Sequence, residues 1–125
     1  MKVRLRGHTI RCRLTQSEVQ QLAAAQIVTQ RCQLSASMAL SFTLVSVADS
    51  IRNAVVVNDL TVTLSVREAD VLQWASTDQT GLSFVQENGS EPSLTVNIEK
   101  DFACLKPRTG GDDDDCFVHP ESAPA

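Results

Sequence analysis

Apolar and basic residues alternate with period two through the first fourteen residues, Met1 to Leu14 (MKVRLRGHTIRCRL). An extended chain there has one apolar and one cationic face. Lys2, Arg4 and Arg6 lie opposite Val3 and Leu5, but past Gly7 the parity flips. Ile10, Cys12 and Leu14 then become the apolar set, and Arg11 and Arg13 the charged one. The five cations share a face only if Gly7–His8 absorbs one residue of register, by a β-bulge or a two-residue turn. A turn would set Arg4 opposite Arg11 and Lys2 opposite Arg13, and like charges directly opposite are destabilising. The pattern therefore favours the bulge, unless the face holds an anion that offsets the repulsion.

Thr15-Gln-Ser-Glu18 is a capping box, and Val19, Leu22 and Ala23 continue it at helical spacing, so a short helix is expected from about Gln16. Ile27 to Leu34 reads as a half-polar strand near a sheet edge. Met38, Leu40, Phe42 and Leu44 alternate with polar or small residues as a strand that runs on toward Val47. Ala54–Val57 and Leu60–Val66 flank Asn58-Asp59, the composition of a tight hairpin. A second helix is expected from about Arg67 to Ser76, with Val71, Trp74 and Ala75 inward. Leu82 and Phe84 mark a strand that turns through Asn88 to Pro92, and Leu94, Val96 and Ile98 mark a last strand reaching toward Phe102.

A shift of 52 residues superposes much of this pattern. Ile10, Cys12 and Leu14 fall on Val62, Leu64 and Val66; Val19, Leu22 and Ala23 on Val71, Trp74 and Ala75; Phe42 and Leu44 on Leu94 and Val96. Either two β-α-β-β units are repeated, or two amphipathic units align by chance. The expected fold is α+β: a mostly antiparallel, strongly curved sheet or partial barrel of seven or eight strands with two short helices. Residues 1–105 form the domain and 106–125 an acidic, loosely ordered tail.

Composition narrows the function classes. The chain has 125 residues, 42% hydrophobic and 21% charged, which is globular rather than disordered. No apolar run is long enough to span a membrane and no leader precedes the fold, so a cytoplasmic protein with reduced cysteines is expected. The net charge of −4 hides an asymmetry: residues 1–31 sum to +5 and residues 99–125 to −4. An acidic whole with one Trp and four Phe does not suit nucleic-acid binding.

The opening MKVRLRGHTIRCRLTQSEV and the late IEKDFACL resemble a family of short, uncharacterised bacterial proteins, a domain of unknown function. Lys2, Arg4, Gly7, Ile10, Arg11, Arg13, Leu14, Ser17 and Glu18 meet the first motif; Glu99, Lys100, Asp101, Phe102, Cys104 and Leu105 meet the second. Relatives tend to end in an acidic stretch followed by Phe-Pro-Asn-Pro, whereas Phe117-Val118-His119-Pro120 follows the acids here. The resemblance implies no reaction, ligand or cofactor.

The first candidate site is the face of Lys2, Arg4, Arg6, Arg11 and Arg13, since arginine forks suit phosphate or carboxylate. Its bland alternative is a solvated outer face, or one neutralised by Glu99, Asp101 and the tail acids. No Glu-x-Glu-x-Lys motif of the triphosphate-tunnel type is present. Cys104, Cys116 and His119 supply one close ligand pair where zinc sites usually have two, and Asp112 to Asp115 are consecutive, so no metal or cofactor is expected. The leading expectation is a non-enzymatic binding or interaction module for an anionic small molecule or acidic protein, with homo-oligomers also open to it. The alternative is a small enzyme acting on a phosphorylated or acyl substrate through Glu99, Asp101 or Cys104. Glu99 and Asp101 would share a face, with Lys100 opposed.

Overall fold

Gly7 has φ 55° and opens a two-residue turn at Gly7–His8, so the amino-terminal pattern folds as a hairpin and not as one bulged strand. Positive φ at that position costs glycine nothing. The computed structural model describes residues 1–102 and 115–118. Its elements are β1 (Lys2–Arg6), β2 (Thr9–Leu14), α1 (Gln16–Ala25), β3 (Ile27–Gln33), β4 (Ala39–Val47), β5 (Ala54–Asn58), β6 (Thr61–Arg67), α2 (Glu68–Ser76), β7 (Gly81–Asn88) and β8 (Glu91–Lys100). The hairpin register is the one that repulsion was expected to disfavour, with Lys2 opposite Arg13 and Arg4 opposite Arg11. Glu99 of β8 and Asp101 just after it offset the repulsion, as described below. The shared cationic face survives the correction, because a two-residue turn and a bulge give the same parity. Ile10, Cys12 and Leu14 are buried on the other side.

The strands form two mixed sheets, ordered β1-β2-β8-β7 and β3-β4-β6-β5. Each has a parallel pair at its centre, β2 with β8 and β4 with β6, flanked by antiparallel hairpins. This corrects the expected single curved sheet or partial barrel: eight strands and two helices are present, but the strands divide between two sheets that do not close. The reason lies in the connections. Each helix carries the chain from one sheet to the other, and alternation along a strand does not record which sheet the strand joins.

The two halves correspond in topology. Exchanging β1-β2-α1-β3-β4 with β5-β6-α2-β7-β8 turns one sheet order into the other. The registers set the offset at 52 residues through the hairpins and helices and at 54 for the later strands. Phe42 and Leu44 therefore match Val96 and Ile98, not Leu94 and Val96, because the link after α2 is longer than the link after α1. The β5–β6 turn falls at Asp59-Leu60, one residue later than composition suggested. Asp59 has φ 52°, the counterpart of Gly7.

One core serves both sheets. Leu14, Leu22, Leu44, Leu64, Trp74 and Ile98 are fully buried, drawn from central strands of each sheet and from both helices. Trp74 donates its indole N–H to the carbonyl of Thr80 at 3.2 Å, so its polar edge is satisfied. No helix among the described residues is long and apolar enough to cross a membrane.

Candidate functional site

The outer face of β1-β2-β8-β7 can be laid out from its registers. One row runs Lys2, Arg13, Glu99, Gly81; the next Arg4, Arg11, Asn97, Ser83; the third Arg6, Thr9, Thr95, Val85. All five expected cations thus lie together at the β1–β2 side, and the acidic members of the late motif lie beside them. Glu99 is shared: its Oε1 is 3.3 Å from Arg11 Nε and its Oε2 is 3.8 Å from Arg13 Nε. Both contacts run to Nε. Asp101, only 2% exposed, has Oδ2 3.0 Å from Lys2 Nζ. The ammonium lies off the hydrogen-bonding direction, so Oδ2 carries an ion pair and accepts no hydrogen bond.

Neutralisation is therefore uneven. Lys2, Arg11 and Arg13 have carboxylates, whereas Arg4 and Arg6 have none among the described residues. Arg4, Arg6, Arg11 and Thr9 line a depression of about 180 Å³ at the hairpin tip. Thr9, which sequence reasoning passed over, contributes a hydroxyl there. Its parity with Arg11 and its position opposite Arg6 were readable once the turn was known. Guanidinium groups from two strands, whose planar forks match phosphate or carboxylate, thus border one shallow depression.

The late motif divides by parity, as expected. Glu99 and Asp101 face the cations; Lys100 turns inward, 6% exposed, and donates to the Thr77 carbonyl at 2.7 Å. Thr77 is the C-cap of α2, which has no basic residue in its last turn, so Lys100 supplies the cation favoured at that helix end. Burial lowers the Lys100 pKa, with the nearby Asp78 charge acting against that shift. Its Nζ is also 5.2 Å from the Phe117 ring centre, and Phe117 stacks obliquely on Phe102 at 5.9 Å.

A second depression, about 420 Å³, is lined by Glu99 together with Gly81, Ser83, Asn97 and Lys100. It shares no lining residue with the cationic one. Glu99 and Asp101 are thus held by cations, and Cys104 lies outside the described residues, as does His119. Cys12 and Cys32 are free thiols, and burial pushes the Cys12 pKa up to about 12, which makes it a packing residue rather than a nucleophile.

Of the tail expected over 106–125, residues 115–118 are described, and they lie against α1. The Gln16 amide donates to the Asp115 carbonyl at 2.9 Å, and the Ser17 amide to Asp115 Oδ1 at 3.4 Å. The Glu18 amide donates to Thr15 Oγ1, so the first three amides of α1 all have acceptors. Glu18 also pairs with the amino group of Met1. Phe117 N–H donates to the Asp101 carbonyl at 2.8 Å, tying the segment to the end of β8. Hydrogen bonds from Ser17 and Thr15 lower the Asp115 pKa. A carboxylate stabilised in the folded state contributes fully above its unfolded pKa of about 3.9, and the contribution is lost as pH falls through the lower folded value. The Ser17 amide resonance is expected to titrate with a midpoint below the ordinary aspartate value. Asp115→Asn should remove that titration; a midpoint at or above the ordinary value would contradict the assignment.

The model of the family described as "Family of unknown function (DUF7009)" matches residues 1–121, and the chain belongs to that family. No curated protein and no solved structure matches it.

Proposed function

We propose that this member of a family of unknown function is a non-enzymatic binding module that takes an anionic group onto Arg4, Arg6, Thr9 and Arg11. One observation carries the reading. The fold builds the same hairpin twice, and only one copy is charged. The positions matching Lys2, Arg4, Arg6, Arg11 and Arg13 are Ala54, Val56, Asn58, Thr63 and Ser65. The scaffold therefore stands without cations there, and a solvated outer face needs only the polar Thr and Ser of β6. Setting Arg4 across from Arg11 costs stability, and the neutral counterpart pair Val56 and Thr63 avoids that cost. Glu99 then acts as a tethered anion that holds the lower rows and leaves the tip rows open. The carboxylates that would serve a small enzyme are engaged with these cations, which is why binding is favoured over catalysis.

Inorganic tripolyphosphate is a suitable probe. Added at low ionic strength, it should shift the side-chain Nε–H resonances of Arg4, Arg6 and Arg11 and leave Arg31, Arg52 and Arg67 in place. The response should weaken as salt is raised through the range where the Debye length falls below about 10 Å. Equal shifts at all arginines, or none, would overturn the proposal.

A further inference from the structure

We infer that the ligand of this face is an extended peptide in which acidic and apolar residues alternate, added along the open edge of β1; the inference rests on the anion-binding reading above. β1 is an outer strand of its sheet. In a two-residue hairpin the closing pair, here Arg6 and Thr9, exchanges both backbone hydrogen bonds, and the pattern alternates from there. Lys2, Arg4 and Arg6 therefore bond to β2, while the N–H and C=O groups of Val3 and Leu5 point to the open side. No backbone hydrogen bond or side-chain cap from another described residue reaches them. The corresponding edge on β5 is treated differently: its Val55 N–H, the counterpart of Val3, is closed by Gln86 Oε1 at 2.6 Å.

The side chains carry the same message. Lys2, Arg4 and Arg6 stand on the outer face, and Leu5 on the inner face is 61% exposed although it shares parity with core residues. A strand laid against β1 presents side chains on one face roughly every 6.7 Å, which is the spacing of these three cations along β1. Acids at every second position would meet Lys2, Arg4 and Arg6, and the apolar residues between them would meet Val3 and Leu5. A run of consecutive acids would turn half its charges toward Leu5. A lone polyphosphate would use the guanidinium groups but neither the backbone edge nor Leu5. A second copy of β1 is a poor occupant, because its three cations would lie beside these three.

Labelled peptides of identical composition provide the test: one alternates glutamate and valine, and its isomer places the glutamates together. The alternating peptide should bind at least about tenfold more tightly, since main-chain bonds give affinity and alternate side chains give specificity in strand addition. N-methylation of its amides facing β1 should remove that advantage. Leu5→Glu should weaken the alternating peptide about tenfold and leave tripolyphosphate binding in place. Equal binding of the two isomers, with tripolyphosphate still bound, would overturn strand addition while sparing the anion seat. Binding of none of the three probes would overturn both, and a preference for single-stranded DNA over both peptides would overturn the peptide in favour of nucleic acid.

Discussion

The double substitution Arg4→Glu and Arg6→Glu is expected to weaken tripolyphosphate binding by at least about 100-fold while leaving the fold no less stable. Each arginine supplies charge-assisted hydrogen bonds worth roughly 1.5–3 kcal/mol, and losing two such residues removes most of the seat. Reversal also turns donors into repelling carboxylates. The stability side follows from the register. Arg4 stands opposite Arg11, so Glu at position 4 replaces a like-charge pair with an opposite-charge pair. Such cross-strand pairs are worth roughly 0.2–1 kcal/mol, which sets the size of the expected gain. Arg4 and Arg6 are exposed and have no carboxylate among the described residues, so no existing ion pair is broken. Titration calorimetry and chemical denaturation of the same preparations read both halves of this expectation. Retained binding in the variant would place the anion elsewhere.

Trp74→Ala is expected to be the most destabilising single change, about 3–5 kcal/mol, and to lower the melting temperature by roughly 10–20 °C. Trp74 is fully buried on the inner face of α2, among side chains from both sheets. Its counterpart in the other half is Leu22 on α1, also fully buried. Truncation leaves a cavity that two sheets and two helices cannot close together. The lost hydrogen bond is the smaller part of the cost, because the Thr80 carbonyl still accepts from the Lys100 amide at 3.0 Å. Trp74→Phe should recover most of the loss. Equal destabilisation by Ala and Phe would show that the hydrogen bond, and not the volume, dominates.

Element positions were legible where a local rule acts alone. Thr15 and Glu18 form the capping box that their spacing announced, and α1 begins at Gln16 as a result. Period-two alternation located β4, β6, β7 and β8 and ran β1 and β2 together, composition located β3 and β5, and alternation assigned Lys100 to the face opposite Glu99 and Asp101. What it could not show was pairing. Val96 looks the same whether its strand neighbours Ile10 or Phe42, and only the three-dimensional path through α1 and α2 decides that. The hairpin at Gly7 departs from local expectation because the repulsion between Arg4 and Arg11 is relieved by Glu99, which arrives from a strand some ninety residues later. Asp115 reads as one acid in a run of four, and its role at the start of α1 depends on a contact spanning 98 residues. Thr9 carries no charge, and its place beside Arg6 follows only from the two-residue turn.

Melting curves of the unmodified chain and of the Arg4→Glu, Arg6→Glu variant, each with and without tripolyphosphate at low ionic strength, bear most directly on whether the charged hairpin exists to hold something. Without the probe the variant should melt at the same temperature or higher. With the probe at a hundredfold excess over the unmodified chain's Kd, that chain should gain about 2.7 kcal/mol and the variant no more than about 0.4 kcal/mol. A variant that melts early without the probe, or that gains as much from it, would contradict the account and return these arginines to a purely structural role.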